Sequence, residues 1–124
     1  MYTVAAIWNW ILSVIFLILP RIDLAYFSLA GPMAPPPTLL WFDFFFGLVF
    51  IFGIGFYLIS KSPTENHGLV KMAIFEKIWI FLMGLYYLLI AQASILVLVF
   101  ASVDLLFGIL FFEDLRATAK LIAK

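Results

Sequence analysis

Three ionisable residues, Glu76, Lys77 and Asp104, stand in the middle of long apolar runs. At the centre of a transmembrane helix such a residue costs about 2.5–3.5 kcal/mol on insertion scales, which marks it as a functional candidate by default. The trio carries one net negative charge when all three are ionised. An unpaired buried carboxylate either takes up a proton or meets a cation or a donor ligand. Two kinds of function fit. One is a non-enzymatic subunit that binds a hydrophobic ligand, or packs on itself or on a larger membrane complex. The other is an intramembrane isomerase or cyclase for a terpenoid, sterol or quinone-like substrate. There Glu76 or Asp104 would act as the catalytic acid on an alkene or epoxide, and a nearby aromatic would stabilise the developing cation. Intramembrane ions usually pair, so a Lys77–Asp104 contact that only pins helix register is the plain alternative.

Spacing argues for that contact. Lys77 lies 15 residues before Gln92 and Asp104 lies 12 after it. At about 1.5 Å per residue, two helices turning back at Gln92 place them about one helical turn apart in depth. Small residues share their faces: Ala73, Gly84 and Ala91 with Lys77, and Ser94, Ala101 and Gly108 with Asp104. Small residues permit close helix packing in lipid, so the two stripes are expected to face each other. Glu76 is about 100° round the helix from Lys77 and points toward the first or the second helix. The polar position at that depth on the first helix is Asn9, between Trp8 and Trp10. On the second helix the candidates are Tyr57 and the Gly53-x-Gly55 pair. Asn9, Tyr57, Glu76, Lys77 and Asp104 thus outline a ligand-binding pocket, expected in the cytoplasmic half of the bundle.

The elements that must hold these groups follow from composition. The chain has 124 residues, is 67% hydrophobic and 11% charged, and has a mean hydropathy of +1.22. Its apolar runs are each near the ~20 residues that cross a ~30 Å hydrocarbon core as a helix. They do not alternate as barrel strands do. The expected fold is an all-α membrane protein, a single antiparallel bundle of four transmembrane helices over residues 2–19, 39–60, 68–90 and 93–112. A Pro-rich loop at 20–38 lies outside, a polar loop at 61–67 inside, and a short amphipathic helix covers 113–124. The first run lacks a positive n-region and is longer than a signal-peptide core, so it reads as a retained helix. The apolar segment Leu24-Ala25-Tyr26-Phe27 lies in the headgroup region or caps the bundle, before three consecutive prolines end any helix.

Lys61, Lys71, Arg116, Lys120 and Lys124 fall on one side and Arg21 alone on the other. The positive-inside rule then puts both termini and the 61–67 loop in the cytoplasm. Seven basic and seven acidic residues cancel, which leaves no nucleic-acid footprint. With no cysteine and one histidine, thiol chemistry, iron–sulfur clusters and paired-histidine haem ligation are excluded. No metal and no cofactor is expected. His67 reads as a solvated loop residue, Asp43 as a snorkelling or loop-capping residue near the outer interface, and Tyr86 and Tyr87 as lipid-facing or packing residues.

From about Pro35 to Leu115 the chain resembles the DoxX-like group of small four-helix membrane proteins. The likeness rests on Gly47, Gly53, Gly55 and Tyr57-Leu58 in the second helix, a Ser-Pro turn, and Phe75-Glu76-Lys77 in the third. The fourth contributes the run from Asp104-Leu105-Leu106-Phe107-Gly108 to Phe112. The resemblance implies a compact bundle in a bacterial inner membrane. It implies little about activity, although some such proteins accompany quinol-linked oxidases.

Overall fold

A computed structural model describes residues 1–32 and 34–122, with side chains as far as Lys120. Met33 of the proline segment and Lys124 lie outside the described residues. The helices are α1 (Tyr2–Ile22), α2 (Phe27–Ala30), α3 (Leu40–Lys61), α4 (His67–Leu89) and α5 (Ile95–Ile122), with a 3-10 turn at Leu24–Tyr26 leading into α2. Four of them are long and apolar enough to cross a membrane. The chain is a multi-pass membrane protein whose outward apolar faces contact lipid.

Two differences from the expected boundaries have plain causes. The fourth span and the amphipathic tail form one continuous helix, because no proline and no glycine follows Gly108 and good helix formers fill the rest. At 28 residues α5 is about 42 Å long, which exceeds a ~30 Å core and carries its charged end beyond it. Pro20 lies inside α1 instead of ending it, and the helix closes only when the Asp23 amide donates to Leu19 O at 3.0 Å.

The helices associate as two tight antiparallel pairs, α1 with α3 and α4 with α5, while α3 and α4 approach each other far less. Glycines mark both tight seams. A Cβ on Gly84 would lie 2.9 Å from the Ala101 Cβ, and one on Gly108 would lie 3.2 Å from the Lys77 Cβ. The expected small-residue stripes therefore do meet, except that Ala91 and Ser94 fall in the connecting turn. Ala91 takes a left-handed φ of 59° there. On the other seam the Trp10 indole occupies the space beside Gly53, 2.6 Å from where a Cβ would stand.

The half of the bundle next to both termini is filled solid. Tyr2 stacks on Phe111 at 4.7 Å, Phe56 meets Phe111 at 5.4 Å, and Ile59, Val70 and Phe107 complete a buried core. The Tyr2 hydroxyl also donates to Asp114 Oδ2 at 2.7 Å, tying the start of α1 to the extended end of α5. At the opposite end Arg21 Nη2 bonds Asp43 Oδ2 at 2.7 Å, so Asp43 joins α1 to α3. His67 is the first residue of α4 and is half-buried, not a solvated loop residue. Tyr86 and Tyr87 are exposed on the apolar surface.

Candidate functional site: a polar floor beneath an apolar cavity

Lys77 sits midway along α4 with its side chain 1% exposed. Gly108 lets α5 lie close beneath its Cβ, and the side chain runs inward between the two helix pairs. Its Nζ donates to Asp104 Oδ1 at 2.5 Å and to Asn9 Oδ1 at 3.0 Å. The Phe56 ring lies 4.9 Å from the ammonium and offers its negative face. Asn9 is held in turn by its own amide, which donates to Val49 O at 3.1 Å. Four helices thus converge on one ammonium: α1 through Asn9, α3 through the Val49 carbonyl that orients Asn9, α4 through Lys77 and α5 through Asp104.

Glu76 is the member left over. Its Oε2 lies 3.4 Å from Lys77 Nζ, within ion-pair distance, yet this buried oxygen accepts no hydrogen bond among the described residues. The pair attracts without the alignment of a hydrogen bond. A lysine ammonium has three protons, and two are already committed to Asp104 and Asn9. With the third left for Glu76 at ion-pair distance, Lys77 is spent on structure, whereas Glu76, whose Oε2 accepts no hydrogen bond among the described residues, retains acceptor capacity.

Above this floor lies a cavity of about 460 Å³, within the ~300–1,000 Å³ of ordinary small-molecule sites. Asn9, Glu76 and Asp104 line its base. Phe16, Phe46, Phe100, Trp79 and Met83 stand in the walls, and Ala30, Gln92 and Ala93 at the far end. The pocket was expected in the half holding both termini and the 61–67 loop. It lies in the other half, beside the proline segment, because the phenylalanine core fills the first.

No family model, curated protein or solved structure matches the chain. What the site can do rests on its own geometry.

Of the sequence candidates, Asn9, Glu76, Lys77 and Asp104 come together. Tyr57 does not join them. Its ring packs 6.0 Å from Trp10, and Lys61 Nζ lies 5.0 Å over it, nearer the end of α3. Gly53 and Gly55 serve packing against Trp10 and Leu69 and do not line the cavity. The aromatic walls escaped sequence reasoning, because residues such as Phe46 and Phe100 look no different in a sequence from the lipid-facing aromatics around them. Among the described residues no group of three or more His, Cys, Asp or Glu side chains could hold a metal ion.

Proposed function

We propose that this protein binds a mostly apolar small molecule head-first, with a hydroxyl or amine of the ligand donating to Glu76. The observation that carries this is the Glu76 carboxylate at the base of a mostly apolar cavity, with Oε2 at ion-pair distance from Lys77 but accepting no hydrogen bond among the described residues. A ligand donor that reaches this carboxylate gains a hydrogen bond to a charged group, worth about 1.5–3 kcal/mol. With both carboxylates ionised against one ammonium the floor is net negative, which disfavours an anionic head.

The test uses purified protein and one long hydrocarbon chain carrying different heads. The alcohol and the amine are expected to bind about tenfold more tightly than the methyl ether, with the carboxylate weakest. Equal affinity for all four heads would reduce the site to an unspecific apolar hole. Preference for the carboxylate would make Lys77 the head-binding group.

A second reading uses the same observation. An acid sharing a cavity with Trp79 and Phe100 is suited to protonate an alkene or epoxide while the rings steady the resulting cation, as an isomerase or cyclase requires. Rearranged product from a terpenoid alkene, lost in Glu76→Gln, would favour it over simple binding. We further propose an orientation with both termini and the 62–66 connection cytoplasmic, supported by Lys61, Lys71, Arg116 and Lys120 at that end against Arg21 at the other. Single cysteines at Asn66 and Ala34 are expected to label from opposite faces of the membrane, and labelling from the same face would overturn it. Placement among the DoxX-like proteins of a bacterial inner membrane is likewise a proposal, supported by the Glu76-Lys77 and Asp104-Leu-Leu-Phe elements. So is assembly with a partner or a second copy.

A further inference from the structure

The ligand's route into the cavity can be read from which walls are sealed. Toward the termini the floor rests on the packed core around Phe56, Phe107 and Phe111. Toward the proline segment the end of α2 and Gly31 lie directly on the α4–α5 turn. The Ser94 amide donates to Ala30 O at 2.6 Å, and Ser94 Oγ donates to Leu29 O at 2.5 Å. Gly31 is buried against the same turn, where a Cβ would come within 2.6 Å of Gln92 O. Two hydrogen bonds and the close approach of Gly31 therefore clasp the end of α2 across the end beside the proline segment. The seams between α1 and α3 and between α4 and α5 are closed by their glycines.

Across the α1–α5 side the Phe100 ring lies 6.1 Å from both Trp8 and Phe16, which leaves the gap between α3 and α4. On its lipid-facing surface lies a second hollow of about 570 Å³, bordered by Phe52, Met72, Phe75 and Leu82. Glu76 and Trp79 line both this hollow and the inner cavity. Trp79 is 60% exposed, so its ring stands in the boundary between cavity and bilayer. The polar group proposed to hold the ligand head is thus the one that borders both spaces.

From this we infer that the ligand is a bilayer-dissolved amphiphile, a long-chain or isoprenoid alcohol, which enters sideways between α3 and α4 past Trp79 and not from the water at the proline-segment end. Such a molecule already lies in the membrane with its chain in hydrocarbon. It needs only a short passage to bring its hydroxyl to Glu76 while the chain follows into the apolar walls. The inference rests on the ligand-binding reading above.

The chain has no cysteine of its own, which makes bridging experiments clean. The protein is reconstituted in phosphatidylcholine vesicles, and a long-chain alcohol bearing a diazirine is delivered from donor vesicles. The rate at which illumination labels the cavity is then followed. Phe52→Cys with Met72→Cys, joined by a short bismaleimide, ties α3 to α4 at residues that border only the outer hollow. Leu29→Cys with Ser94→Cys, joined in the same way, locks the water-facing end without touching a cavity residue. Each double variant before bridging serves as its own folded baseline. The α3–α4 bridge is expected to slow labelling by about tenfold or more, as expected when a gating motion is blocked. The bridge at the water-facing end is expected to leave the rate within about twofold of its baseline. Unchanged labelling with α3–α4 tied, or slowing only when the water-facing end is locked, would overturn the lateral route while leaving the site intact. Absence of saturable labelling in the unbridged protein would overturn the ligand-binding reading itself, and the route with it.

Discussion

Lys77→Met is expected to lower stability in mild detergent by about 3–5 kcal/mol, the scale for removing one partner of a buried ion pair. Lys77 neutralises two acids at once, Asp104 at 2.5 Å and Glu76 at 3.4 Å, and it also satisfies Asn9. Its loss strands all three. Asp104→Leu removes less, because the ammonium keeps Glu76 and Asn9 beside it, so a smaller loss is expected. Combining the two leaves one carboxylate and no cation, with apolar side chains in place of the closest pair. The double variant is expected to be more stable than the sum of the single losses implies, with a coupling of about 2 kcal/mol, inside the 0.5–3 range for residues in contact. Thermal or denaturant unfolding of the four proteins measures it. Additive losses would show that the pair does not hold the bundle together. Equal losses for the two single variants would show that Glu76 lends Lys77 no support.

Glu76→Gln separates the binding group from the structural one. Glutamine keeps the shape of the side chain and removes the charge. Because Oε2 accepts no hydrogen bond among the described residues and Lys77 keeps Asp104 and Asn9 when the Glu76 charge is removed, stability is expected to change by no more than about 1 kcal/mol, the worth of a single ordinary hydrogen bond. Ligand binding is expected to respond more. The donor head loses a charged acceptor, worth about 1.5–3 kcal/mol where a neutral one is worth about 1. Affinity for a long-chain alcohol should therefore fall by about tenfold, while the methyl ether, which donates nothing, should bind as before. The same variant is expected to improve binding of the matching carboxylate, since one like charge has gone from the floor. A stability loss as large as that of Lys77→Met would place Glu76 in the structural network. Unchanged affinity for the alcohol would remove it from the site.

The four spans were legible because length and hydropathy alone fix them once lipid is the solvent. The Lys77–Asp104 contact was legible for a similar reason. A turn at Gln92 and a rise of about 1.5 Å per residue set the depth of both groups, and the small residues set their facing. Asn9 followed from depth as the polar position on the first helix. Tyr57 failed on the same logic: the choice on the second helix was made by polarity, whereas α3 contributes a backbone carbonyl, Val49 O, which no residue type announces. The cavity could not be placed in advance. Its position depends on which half of the bundle the large aromatics fill. Phe56, Phe107 and Phe111 turn inward while Phe44 and Phe112 face out, and a helix apolar all round gives no periodic signal to tell them apart. The clasp between Ser94 and the carbonyls of Leu29 and Ala30 was hidden for a different reason. It joins the short helix α2 to a turn 65 residues away, and only the course of the backbone brings them together.

The most direct measurement is a structure of the protein crystallised from a lipid mesophase, without exchange of the lipids it carries from the cell. Elongated density is expected in the cavity, beginning within hydrogen-bond distance of the Glu76 carboxylate and running between α3 and α4 along Phe46, Trp79 and Phe100. A cavity closed by rotated aromatic side chains, or ordered lipid only on the outer face of the bundle with nothing above Glu76, would contradict it.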